Sequence, residues 1–283
     1  MAAFRCACHQ ITWGGDRLLE ALDDIRDFGY SGVETFATVV DTYAGREDAF
    51  AALLAARGLK LAALYGGGPL SEAGQTGELI ARNLRIGQFL QRLGSRQLVL
   101  GTGRRPAGGP TAEHFLTLAK ACDEIGQGCA ALGVVAGIHP HFNNPVQFSA
   151  EVDRIFDLVD TRVVKLAFDP AHIAKVHEDP LRVAERYRDI LVYVHLKDYV
   201  PALDTDVPGG AAREDAPRLA FFGELGTGTV DTKGLIDILR RANYDGWVTV
   251  ELDRSQTSPR QSLDVNTRYL RETLGFNVSG VSR

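Results

Sequence analysis

The feature that most constrains this chain is a repeated alternation. Eight short β-rich runs stand at "FRCACH" (4–9), "SGVETF" (31–36), "LKLAALY" (59–65), "RQLVLG" (96–101), "VVAGIH" (134–139), "VVKLAFD" (163–169), "ILVYVHL" (190–196) and "WVTVEL" (247–252). Between them lie stretches with apolar residues at helical spacing. That alternation predicts parallel strands joined by crossover helices. "DRLLEALDDIRDFG" predicts a helix capped by Asp16 and closed by Gly29, and "EDAFAALLAARG" predicts one closed by Gly58. "TAEHFLTLAKACDEIGQGCAALG" and "SPRQSLDVNTRYLRETLG" predict two longer helices. Eight strand–helix units are the number that closes a barrel. The expectation is therefore an α/β chain with a single (β/α)8 TIM-barrel domain over residues 1–283. The rival is an open doubly wound sheet, which carries a Gly-rich phosphate turn after its first strand. Here the first run leads into "CHQITWGGD", which lacks that turn.

Composition narrows the function. The formal net charge is −5 and no basic block occurs, which argues against nucleic acid as a partner. The N-terminal "MAAFRCACHQITWGG" does not read as a signal peptide, and no run of about 18 apolar residues predicts a membrane span. Cys6, Cys8, Cys122 and Cys129 form no pair of C-x-x-C motifs, so a zinc ribbon is not expected. A reduced cytoplasmic protein acting on a small molecule is expected, with no nucleic-acid or membrane partner. Assembly into a homo-oligomer or with a partner subunit stays open.

In a parallel barrel the functional face is the C-terminal end of the strands. The runs carry His9, Glu34, Tyr65, His139, Asp169, His195 and Glu251 at or near that end, seven of the eight. Side chains two apart share a face. If Glu251 points into the barrel, so do Thr249 and Trp247, and if His9 points in, Cys6 and Cys8 pack outward. Gathering carboxylates and imidazoles around one axis is costly unless something pairs them. A divalent cation does so, and a mixed nitrogen and oxygen shell suits Mn2+ or Co2+, with Mg2+ and Zn2+ as the other choices.

The fifth run continues as "VVAGIHPHFNNPVQ", placing His139 and His141 on either side of Pro140. Such a pair can be packing, a metal site or an acid/base device. His9 is a candidate substrate contact, Glu34 and Tyr65 are candidate contacts for substrate hydroxyls, and Trp13 is a candidate apolar wall. His172, three residues after Asp169, is a substrate contact or a partner of that carboxylate. Lys197 and Asp198 follow His195. Lys197 is a candidate catalytic residue, while Glu224, in the Gly/Pro-rich stretch 200–228, is a candidate substrate contact. That stretch is expected to lie over the mouth as a loop or lid. Asn143 and Asn144 either bind hydroxyls or form the turn before Pro145. His114 and His177 are expected at the surface.

"FDPAHIAK" (168–175), "VHLKDY" (194–199), "LGTGTVD" (225–231) and "WVTVELDRS" (247–255) resemble the xylose isomerase-like barrel superfamily, over nearly the whole chain. That group includes sugar isomerases and epimerases, inosose dehydratase and endonuclease IV. The resemblance implies one divalent metal, with Asp169, His195 and Glu251 matching three of its four ligands. The Glu expected from strand five is replaced by His139-Pro140-His141, so His139 or His141 stands at the fourth position. A similar histidine run follows strand five in the inosose dehydratase branch. The resemblance therefore implies a metal-dependent lyase, a dehydratase or eliminase, that abstracts a proton next to a carbonyl of a keto-cyclitol, keto sugar or keto-glycoside. Glu251, His139, His141 and Lys197 are its acid/base candidates. The alternative is a metal-dependent ketose isomerase or 3-epimerase. A minor alternative is an endonuclease IV-like repair enzyme, which needs a D-x-H pair after the strand-seven histidine that this chain lacks. A sugar-binding module with a degenerate site is the non-catalytic reading.

Overall fold

The computed structural model describes residues 4–204 and 221–278. Eight parallel strands close into a barrel: Arg5–His9, Gly32–Phe36, Lys60–Gly67, Gln97–Gly101, Val135–His139, Val164–Phe168, Leu191–Leu196 and Trp247–Val250. They follow chain order around the barrel, and strand eight returns to pair with strand one. All eight expected runs are strands, each within a few residues of its predicted limits.

Alternation sorts the side chains. Ala7, Ala63, Val99, Ala167, Tyr193 and Trp247 fill the inside of the barrel below the mouth. The small residues make room for the two large rings: a Cβ on Gly32 would sit 2.6 Å from the Trp247 ring. The alternate residues, among them Cys6, Cys8, Val33, Val248 and Val250, belong to the larger core shared with the helices. All four cysteines are buried and free.

The helices end largely as the sequence predicts. Gly29, Gly58, Gly133 and Gly275 each have positive φ just past a helix end, where an L side chain would be strained. Thr111 and Ser258 cap the helices Ala112–Ala131 and Pro259–Glu272. Asp16 does not cap the helix Leu18–Asp27. Arg17 stands at that position without a side-chain cap, its guanidinium donating instead to the Trp13 carbonyl at 2.8 Å. The 3-10 turn Gln10–Trp13 shifts the helix entry past Asp16.

After strand seven, Asp198–Tyr199 pairs antiparallel with Phe222–Gly223. Residues 205–220, the middle of the stretch expected to form a loop or lid, lie outside the described residues. Its stems are fixed. Asp204 accepts from Lys175 at 2.8 Å and from the Tyr199 hydroxyl at 2.6 Å. The Lys175 ammonium also lies 4.7 Å from the ring centres of both Phe142 and Phe221. Downstream, the Asp198 carboxylate accepts backbone N–H bonds from Gly226, Gly228 and Val230 at 2.9–3.0 Å, and from Tyr199 at 2.9 Å. This explains why "HLKDY" and "LGTGTVD" occur together: the first supplies the acceptor and the second the donors. Gly228 has no alternative, since a Cβ there would meet the Tyr199 carbonyl oxygen at 2.1 Å. Among the described residues no helix is long and apolar enough to cross a membrane.

Candidate active site at the barrel mouth

Strand alternation carries His9, Glu34, His139, Asp169, His195, Lys197 and Glu251 to the C-terminal end of the barrel, all of them buried. The lowest layer links strands one, two, seven and eight. His195 Nε2 lies 2.6 Å from Glu34 Oε2, and its Nδ1 lies 3.2 Å from Glu251 Oε2. His9 accepts the Ile11 N–H at Nδ1, so its own proton is on Nε2, which stands 3.8 Å from Glu34 Oε1. Glu34 had been a candidate contact for substrate hydroxyls. It lies fully buried between two imidazoles, with Oε2 against His195 Nε2 and Oε1 without a hydrogen-bond partner among the described residues.

A second layer surrounds Lys197. Its Nζ donates to Glu251 Oε1 at 2.8 Å and to Asp253 Oδ2 at 2.9 Å, and lies 3.2 Å from both Asp169 Oδ2 and His172 Nε2. The Phe222 ring covers it at 4.5 Å. The sequence does not single out Asp253, which lies in a bend beyond strand eight. Lys197 has no open coordination of its own, so the geometry suits a fixed charge more than a proton shuttle.

The third group is imidazole. His139 Nδ1 lies 3.2 Å from the Ala167 carbonyl, which places the ring proton there and leaves the Nε2 lone pair without a partner. His141, only half-buried, lies with Nδ1 2.5 Å from the Phe142 carbonyl, which likewise frees Nε2 as an acceptor. The His141 and His172 rings overlie each other with centres 3.7 Å apart. Tyr65 stands at the end of strand three, edge-on to His139. Strand four contributes no side chain at this level; a Cβ on Gly101 would meet the Tyr65 hydroxyl at 2.6 Å, so the glycine makes room for the phenol.

Charge follows from these contacts. Burial would lower the His195 pKa, but Glu251 and Glu34 outweigh it and raise it to about 9. For Lys197 burial is likewise outweighed, by Asp169, Asp253 and Glu251, which hold it well above its ordinary value. Burial opposes ionisation of Glu251, yet His195 and Lys197 keep its carboxyl well below the usual range. His139, His141 and His172 are all lowered, chiefly by burial and then by the neighbouring imidazoles and Lys197, and are neutral near pH 7.

The donor set fits a divalent cation. His139, Asp169 and His195 each offer an atom within 4.8 Å of the others. His139 Nε2, His195 Nδ1 and Asp169 Oδ2 are buried without a hydrogen-bond partner; Lys197 is near Asp169 Oδ2 but not aligned to donate to it. Buried polar atoms are rarely left so. Glu251 Oε2, beside His195 Nδ1, completes two imidazoles and two carboxylates. His141 groups instead with His139 and His172. Each of the two imidazoles gives its other nitrogen to an oxygen, as metal-bound histidines do.

One candidate is not at the mouth. Trp13 is buried in the core between barrel and helices, and its indole N–H donates to Asp24 Oδ2 at 2.9 Å. The 3-10 turn after strand one folds the ring back under the helix Leu18–Asp27. Glu224 Oε1 accepts from Ser262 at 2.6 Å, which ties it to the last helix. Asn143 has φ +63° and makes the turn, His177 is exposed, and His114 completes the capping box of its helix.

A family model described as "Xylose isomerase-like TIM barrel" matches residues 22–273. An inosose dehydratase from Lacticaseibacillus casei is 25% identical over 275 residues, covering 92% of this chain and 91% of that protein. The fold superposes on the probable 3-DHS dehydratase AsbF from Bacillus anthracis with a TM-score of 0.79 at 13% identity, covering 95% of this chain and 99% of that one. It superposes on IOLI protein with a bound zinc atom at 0.77 and 16% identity, covering 96% and 99%. With eight strands closed around a polar mouth, and a family match over most of its length, the chain belongs to the xylose isomerase-like TIM barrel family.

Proposed function

We propose that this enzyme is a divalent-metal-dependent lyase, a dehydratase or eliminase. In this reading it removes a proton from the carbon next to a carbonyl of a keto-cyclitol, keto sugar or keto-glycoside and expels a β-oxygen substituent. The observation that carries it is the histidine pair where the family resemblance implies a glutamate. His139 has its lone pair among the metal-binding atoms, and His141 has one facing away from its backbone bond. The inosose dehydratase relative supports a keto-cyclitol substrate.

His139, Asp169, His195 and Glu251 would hold the metal. Bound there, it would polarise the substrate carbonyl and acidify the neighbouring C–H. Glu251, kept ionised between His195 and Lys197, serves as an anionic ligand. His141 is neutral, half-buried and has a free Nε2, the properties of a base that takes the carbon-bound proton. Once protonated it hands that proton to the departing oxygen, so one residue serves both halves of the elimination. Tyr65, edge-on to His139, binds substrate hydroxyls.

The test is incubation with Mn2+ and a panel of inososes, ketohexoses and keto-glycosides in D2O. Enone absorbance with loss of water or aglycone supports the lyase. Deuterium incorporation into an inverted or isomerised sugar, without enone, would make it an isomerase or epimerase. Elemental analysis of protein purified without added metal tests the cation, and activity that survives exhaustive chelation would exclude it.

A further inference from the structure

We propose that Lys197 acts through His172. Its ammonium fixes the His172 tautomer so that Nδ1 carries the proton and donates to a substrate oxygen, and Asp253 is the residue that positions the ammonium. The identity of that oxygen, a carbonyl or hydroxyl of a hydroxylated ketone, rests on the lyase reading; the tautomer does not.

An ammonium has three N–H donors. Lys197 directs two at Glu251 Oε1 and Asp253 Oδ2, at 2.8 and 2.9 Å, and the third toward His172 Nε2 at 3.2 Å, with Asp169 Oδ2 equally near. The Phe222 ring lies over the ammonium at 4.5 Å, and Lys197 is fully buried. A nitrogen facing a donor with no acceptor capacity cannot itself bear hydrogen. The single proton of neutral His172 is therefore on Nδ1.

That Nδ1–H is buried and without a partner among the described residues. A buried donor left unpaired is costly, so an acceptor is expected when the site is in use. The ring is held between His141, which overlies it at 3.7 Å, and Phe222, edge-on at 4.8 Å, so it cannot swing to another protein acceptor without breaking both contacts. A substrate oxygen entering beside His141 supplies what is missing.

Asp253 has a distinct part in this arrangement. Of the three carboxylates around Lys197, Asp169 and Glu251 also belong to the candidate metal set. If those two held a cation, Asp253 would remain to keep the ammonium against His172.

The experiment is two-bond 1H–15N correlation of protein labelled with 15N-histidine, with His172 assigned by its loss in His172→Gln. The wild type should show a protonated Nδ1 and an acceptor Nε2 near neutral pH. Lys197→Met should move the proton to Nε2, where Asp169 Oδ2 stands 3.5 Å away. Asp253→Asn, which leaves Lys197 in place, should give a mixture of the two tautomers, with Asp253→Glu restoring the single form. An Nε2–H tautomer in the wild type, or no change in both Lys197→Met and Asp253→Asn, would overturn the proposal. In turnover, Asp253→Asn should lower kcat about tenfold or more with little change in KM. The spectra need no substrate, so absence of lyase activity in the wild type would remove the lyase reading and leave the tautomer result to stand or fall separately.

Discussion

Glu34 and His195 meet across the barrel. Strand two pairs with strands one and three, and strand seven with six and eight, yet Oε2 and Nε2 lie 2.6 Å apart with both side chains buried. Held as an imidazolium up to about pH 9, His195 carries hydrogen on both nitrogens; a cation at Nδ1, beside Glu251, would displace only that proton, while Glu34 keeps the one on Nε2. Such a carboxylate orients a ligand and raises its basicity. Glu34→Gln should therefore weaken divalent-cation binding by about 10–100-fold with the far-UV spectrum unchanged. Competition against a chromophoric chelator measures it. Unaltered affinity would mean that His195 needs no support from strand two.

Trp13 tests the boundary between core and site. Trp13→Phe removes the indole N–H and leaves Asp24 Oδ2 without that donor in a buried setting. A loss of about 1–3 kcal/mol in urea unfolding is expected, with KM unchanged. A raised KM at unchanged stability would return the indole to the substrate wall.

The four buried thiols set an alkaline limit. Burial pushes Cys6 and Cys129 up to about 12 and Cys8 and Cys122 higher still. An unfolded thiol ionises near ~8.5. With the folded pKa raised, the stabilisation is fully present below the unfolded value and is lost as pH rises from there toward 12. The slope is up to about 1.4 kcal/mol per pH unit for each thiol. Urea midpoints should be flat up to about pH 8 and fall above it, less steeply in Cys129→Ala. A disulfide-exchange reagent at about pH 8 should find no reactive thiol before unfolding and all four after it.

Asp198 is the anchor of the segment after strand seven. Its carboxylate accepts from four backbone N–H groups. Asp198→Asn turns one acceptor into a donor that faces donors, and should cost about 2–3 kcal/mol. Hydrogen exchange should show protection lost first over residues 225–230, before the barrel strands. Uniform loss across the barrel would mean that the loop and the barrel open as one unit.

Local pattern carried much of this fold. Period-two alternation together with the eight-unit count placed each strand and brought His139, Asp169, His195 and Glu251 to one end. What escaped depends on closure or on irregular turns. The Glu34–His195 bond joins residues 161 apart on strands that only barrel closure brings together. Trp13 was misread because a 3-10 turn, not a continued strand, follows His9. Glu224 sits in a segment without periodicity, where nothing in the sequence shows that Ser262 receives it. Asp253 lies in a bend past the end of strand eight at Val250, where strand alternation no longer places a side chain.

The clamps on either side of residues 205–220 give this barrel a socket. Upstream, Asp204 is held by Lys175 and Tyr199; downstream, Phe221 packs on Lys175 and the Asp198 carboxylate gathers the chain. Phe222, which covers Lys197, is positioned by this frame. The entropic cost of a longer loop grows only slowly with its length. Because each clamp closes on described residues of the barrel's own flank, the register of Lys197 and Phe222 is set by Asp198, Tyr199 and Lys175 and does not depend on the sequence between the clamps.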